Sequence, residues 1–168
     1  MRTKIAYSVA LWICLIATGL WTPGCHMHPR KRTINFETAN PPPSNWTPSR
    51  SSRGALLFRR KDLPMGIMVS TECERYQSVP LTPLSRTLFI GFENRKELSR
   101  GSAKVDGHEA VEVTMECSLE GVPLKVETYT FKAEGCIYDI AYFASPEHFD
   151  EGLKDFEEFV RVFKIGKK

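Results

Sequence analysis

Residues 107–144 read GHEAVEVTMECSLEGVPLKVETYTFKAEGCIYDIAYFA, and this stretch decides the fold class. Val111, Val113, Met115, Cys117 and Leu119 occupy every second position, with Glu112, Thr114, Glu116 and Ser118 between them. A period of two puts the apolar set on one side of a pleated strand and the polar set on the other. This is the signature of an antiparallel strand with one buried and one wet face. Asp106-Gly107, Glu120-Gly121 and Glu134-Gly135 mark tight turns. Between and after them, Leu124 to Lys132 and Cys136 to Ala144 form two further strands. The three strands make a meander.

Working outward, helices are predicted on both flanks. Downstream, Ser145-Pro146-Glu147 combines a capping residue, a proline and an acid, all suited to a helix start. Phe149, Leu153, Phe156, Val160 and Phe163 then mark one apolar stripe, and Lys164 and Gly166 suit its end. Upstream, Thr82-Pro83 is a similar start, and Leu84, Leu88 and Phe92 recur at four-residue intervals to about Lys96. Before that, Ala55 to Arg60 is a short apolar strand and Lys61-Asp62-Leu63-Pro64 a turn. Gly66 to Glu72 then alternates, with Ile67, Val69, Thr71 and Cys73 opposite Met68, Ser70 and Glu72. The order predicts an α+β domain over residues 54–168: a hairpin plus a three-stranded meander, covered by two helices. A chain of about 115 residues buries enough surface for a real core.

The N-terminus carries an address. Arg2 and Lys4 precede Ile5 to Trp21, a run without charge, and Thr22-Pro23-Gly24-Cys25 follows. A basic start, an apolar run and a small residue at a break read as an export signal over residues 1–24. The run lies at the short end of the roughly 17–25 residues that span a bilayer, so an uncleaved anchor is the competing reading. Gly24 before Cys25 resembles the cleavage motif of bacterial lipoproteins, although Thr22 and Pro23 depart from the rest of that pattern. The resemblance implies lipidation of Cys25 and a membrane anchor. His26, rather than Asp, after the cysteine then points to the outer membrane. Residues 25–53, rich in Pro, Ser and Arg, read as a tether, with Pro41-Pro42-Pro43 favouring an extended backbone. Trp46 is expected to pack back onto the domain, and Ile34 and Phe36 could dock as a short strand.

Charge excludes one class of partner. The full chain carries +3, but residues 54–168 hold 16 basic and 19 acidic side chains. A mildly acidic domain is a poor match for nucleic acid. The basic excess lies in residues 26–53, where Arg30-Lys31-Arg32 faces only Glu37 as an acid. That tripeptide fits either a solvated linker or contact with anionic headgroups.

Of five cysteines, Cys14 lies in the signal and Cys25 is the lipidation candidate. Cys73, Cys117 and Cys136 remain. In an exported chain, three thiols commonly give one disulfide and one buried thiol. Spacing does not select the pair; Cys73–Cys136 is favoured, Cys73–Cys117 is next, and all three reduced is the alternative. The chain has no CxxC, which leaves thioredoxin-like chemistry and a zinc ribbon unsupported.

The order of elements from Trp46 to Phe163 resembles the PsbP-like fold, including that of DcrB-type periplasmic lipoproteins. The resemblance rests on the Pro-rich lead to Trp46, the hairpin ending near Cys73 and the helix after Pro83. The meander with Gly121 and Gly135 and the Phe-rich last helix complete it. The chain is also similar to a group of uncharacterised bacterial lipoproteins with a strand such as Gly135 to Asp139 before that helix. The fold implies accessory, assembly or binding roles.

No catalytic signature is present: GxSxG, HExxH, the P-loop and GxGxxG are all missing. His108 beside Glu109 and His148 at a helix start read as polar surface. Cys25-His26-Met27-His28 holds donor types suited to copper or nickel, but lipidation would remove the thiolate, so no metal or other cofactor is assigned. Asp139 sits inside an apolar strand and, if it faces the core, requires a partner such as Arg75. Tyr129, Phe131, Tyr138, Tyr142 and Phe143 either line a cavity or pack the two faces of the sheet. The expected function is a non-catalytic, lipid-anchored binding protein of the bacterial envelope. It faces the periplasm and meets the membrane through Cys25 and an envelope protein through its folded surface. The alternative is a small-ligand or lipid carrier with a pocket between sheet and helices.

Overall fold

The computed structural model describes residues 45–50, 55–73 and 75–165. The predicted signal, Cys25 and most of the predicted tether lie outside the described residues. The elements are β1 (Trp46–Arg50), β2 (Leu56–Arg60), β3 (Met65–Cys73), α1 (Leu81–Thr87), β4 (Glu93–Val105), β5 (His108–Leu119), β6 (Val122–Ala133), β7 (Cys136–Ala144) and α2 (Phe149–Val162). All seven strands form one antiparallel sheet in the order β1-β2-β3-β7-β6-β5-β4. The α+β architecture expected from the sequence is therefore present, with two strands added at the sheet edges.

The turns follow from their residues. Val105 faces His108, Leu119 faces Val122, and Ala133 faces Cys136, so each loop has two residues. Both residues of each loop have positive φ, from 49° at Asp106 to 81° at Gly107. That conformation matches the twist of the flanking strands, and glycine at the second place accepts it at little cost.

Helices cover opposite faces. The α2 stripe Phe149, Phe156, Phe159, Val160 and Phe163 closes over Trp46, Phe58, Ile67, Phe131, Tyr138 and Tyr142. Trp46 thus packs as expected, and Trp46 Nε1 donates a 2.9 Å bond to Asp155 on α2. On the other face Phe89 closes over Val113, Met115, Cys117 and Val126. The alternating residues of β5 are therefore buried beneath the α1 segment.

Three local expectations differ from the structure. The upstream helix ends at Thr87, not near Lys96, and turns through Gly91 (φ 92°) into β4. Leu88 and Phe92 still pack on the Phe89 cluster, which explains their apolar spacing without a helix. Neither helix is capped by the predicted side chain: Pro80 precedes α1 and His148 precedes α2, both without a side-chain cap bond. Ser145 instead closes a turn with His148, and the acids of the first α2 turn are Asp150 and Glu151. Finally, β1 lies within the segment read as a tether.

Candidate functional site

The α2 face of β5 and β6 carries polar side chains beyond the aromatic core. Lys125, Glu127 and Tyr129 share strand parity, as do Glu112, Thr114 and Glu116 opposite them. Glu127 is only 6% exposed, the one acidic residue among the buried residues described. Tyr129 Oη donates to Glu127 Oε1 at 3.3 Å, and Thr114 also bonds the carboxyl. Burial first, then the charges of Glu112 and, on α2, Glu157, raise its pKa to about 7. The Tyr129 phenol is pushed far up by burial and then by the carboxylates of Glu127 and Glu112. Lys125, the cation on this face, is engaged elsewhere: it lies 3.8 Å from Asp150 and 4.3 Å from the centre of the Phe149 ring. Burial thus shifts the Glu127 carboxyl toward its protonated form.

A second titratable group lies on the opposite face. Asp139 Oδ1 accepts a 2.9 Å bond from Thr130 Oγ1, and burial raises its pKa to about 6. Its partner is thus a neighbouring hydroxyl rather than Arg75, which pairs with Glu72 at 3.8 Å on the surface. Thr130 and Asp139 are directly opposed across β6 and β7, so a short side chain reaches where a flexible arginine was expected.

The cysteines sort as the favoured pairing has it. Cys73 and Cys136 are opposed across β3 and β7 and form a disulfide, while Cys117 is free and buried. Desolvation raises the Cys117 thiol pKa, which disfavours the thiolate. The histidines are placed apart: His108 stacks on Phe131 at 6.3 Å, and His148 contacts Glu151 at 2.7 Å. Among the described residues no three His, Cys, Asp or Glu side chains are grouped to hold a metal ion. No described helix is long and apolar enough to cross a membrane.

The aromatic residues resolve into packing. Tyr142 lies 5.0 Å from Phe149 and 5.4 Å from Phe156, Tyr129 lies 5.8 Å from Phe156, and Phe131 stacks on Tyr138 at 5.1 Å. These rings fill the space between sheet and α2 where a carrier's pocket was considered. Sequence reading passed over Glu127. Its signal was parity, because it shares a face with Tyr129 and Phe131 in a strand whose residues from Val126 to Phe131 are all buried.

No family model matches the chain, and no curated protein matches it. Solved structures do. A protein of unknown function, PA94 from Pseudomonas aeruginosa, is similar with a TM-score of 0.53 at 13% identity, over 74% of this chain and 100% of that one. Cyanobacterial PsbP (CyanoP) from Synechocystis sp. PCC 6803 gives 0.53 at 10% identity, over 74% and 84%. LpqN of Mycobacterium tuberculosis, described as involved in cell envelope biogenesis, gives 0.51 at 14% identity, over 73% and 79%. At such identities the similarity is one of fold, and the fold of this chain is PsbP-like.

Proposed function

We propose that the protein is a lipid-anchored, extracytoplasmic binding protein of the bacterial cell envelope, acting without catalysis. Cys25 carries the lipid, the following segment gives reach, and the folded domain presents its surface to an envelope partner. The observation that carries this reading is the Cys73–Cys136 disulfide. Such bonds persist in oxidising compartments and are rare in the cytosol. The export-signal pattern ahead of Cys25 and the envelope role stated for LpqN support it. In this reading the anchor lies in the outer membrane, as His26 after Cys25 suggests.

Intact mass of the protein purified from its own membranes tests the reading. The expected species is residues 25–168 plus a diacylglyceryl group, gaining the mass of two hydrogens on reduction. A full-length chain without lipid would reject lipidation of Cys25 and leave Ile5 to Trp21 as an uncleaved anchor. A mass unchanged by reduction would reject the oxidising compartment.

A further inference from the structure

A groove of about 290 Å³ opens beside the β2–β3 turn. Leu57 and Arg59 alternate with the core residues Leu56 and Phe58, so they stand on the sheet face opposite α2. The segment around α1 is seated over β5 and β6, and its Phe89 cluster reaches as far as Phe143, which borders the groove. Leu57, Leu63, Pro64 and Phe143 supply apolar walls. Gly66 shapes the floor: a methyl group there would come within 2.4 Å of Phe143 Cζ, so the ring lies directly on the β3 backbone.

The charge around the groove is one-sided. Among the described residues, Arg59 and Arg60 are the charged side chains that line it, and no carboxylate does. Arg60 is already neutralised: it bonds both Asp62 oxygens at 2.9 and 3.2 Å and lies 3.6 Å from Asp155. Arg59 is exposed and has no hydrogen-bond or ion-pair partner among the described residues. An apolar trough ending at one free guanidinium is complementary to an alkyl chain ending in an anion.

We propose that this groove binds a medium-chain carboxylate, its head on Arg59 and its chain over Leu57, Leu63 and Phe143. The groove's volume of about 290 Å³ sets the scale at a short alkyl chain such as that of octanoate. The site is distinct from the filled core under α2 and requires neither the anchor nor the envelope partner.

Photolabelling the full chain in its own membranes with an octanoate bearing a terminal diazirine tests the site. Label is expected within residues 57–64 or on Phe143, competed by octanoate and much less by octan-1-ol. Arg59→Gln is expected to lower it about fivefold, the loss typical of one exposed charge-assisted bond. Leu57→Asp, which sets a carboxylate in the trough, is expected to lower it further. Label spread over other surfaces, equal competition by octan-1-ol, or unchanged labelling of both variants would overturn the proposal.

Discussion

Gly152→Ala measures how closely α2 is seated on the sheet. A methyl group at Gly152 would lie 2.5 Å from Tyr142 Oη, 2.6 Å from Met65 Sδ and 3.1 Å from Tyr142 Cζ. Ordinary contacts need about 3.5–4.0 Å, so something must retreat by about 1 Å. Tyr142 has little room: it is fully buried, donates a 2.8 Å bond to the Phe149 carbonyl and is held between the Phe149 and Phe156 rings. Met65 is the softer neighbour and absorbs part of the strain. Overpacking of this kind costs about 1–3 kcal/mol, against up to about 1 kcal/mol gained from alanine's helix propensity. The expected net effect is a destabilisation of about 1–2 kcal/mol, or a fall of about 3–8 °C in melting temperature for a domain of this size. Urea unfolding followed by circular dichroism reads it directly. The cause is tested by adding Tyr142→Phe, which deletes the oxygen in the clash. The double variant should be more stable than additivity allows by about 0.5 kcal/mol or more. A Gly152→Ala protein as stable as the parent, or strict additivity in the cycle, would refute the close-approach argument.

Three further outcomes follow from other sites. Burial raises the Glu127 pKa from 4.5 to about 7 on folding, so the folded state holds an extra proton between those values. Stability contributed by the protonated form is complete below about pH 4 and is lost as pH rises toward 7; Glu127→Gln should flatten most of that fall. The urea midpoints of both proteins at about pH 5 and pH 8 check this, and parallel profiles would contradict it; Asp139 adds a smaller fall of the same sign up to about 6. Replacing Cys73 and Cys136 together by alanine opens a loop of 63 residues' separation and is expected to cost up to about 4 kcal/mol. Reductant should then no longer shift the unfolding midpoint, whereas it should lower that of the parent. Asp106 accepts bonds from Lys164 Nζ at 2.9 Å and the Ile165 amide at 3.0 Å, pinning the chain after α2 to the β4–β5 turn. Asp106→Asn tolerates the same turn but loses the charge, so a loss of about 0.5–1.5 kcal/mol and faster amide exchange at Ile165 are expected.

The legible parts of the fold were those whose burial has a period. The five alternating apolar residues from Val111 to Leu119 and the three X-Gly turns located β5, β6 and β7 with few neighbours needed to explain them. Four of those five residues stayed on a covered face, while Leu119 projects at 42% exposure beside the turn. β4 was missed because it is an edge strand with most of its 13 residues exposed, so no alternation is imposed on it. Its neighbours Leu88 and Phe92 happened to carry a helical spacing that tertiary packing realised as a turn. Cys73–Cys136 was favoured among open pairings, but only the β3–β7 register makes it a directly opposed pair.

The sequence by itself determined local geometry: the hairpins, the Phe-rich final helix and the antiparallel class, because backbone period and turn chemistry depend on neighbouring residues. The tertiary structure decided which strands meet, and with that every contact between distant residues. Glu127 is an ordinary surface acid in a one-dimensional reading. It becomes a buried carboxyl with a raised pKa because packing takes it out of water first, and because β5 then brings Glu112 and α2 brings Glu157 near it. The groove at Arg59 likewise exists only because β7 lays Phe143 across Gly66, residues 77 positions apart in sequence. Charge and shape at such places are set by desolvation and by pairs that local patterning does not encode.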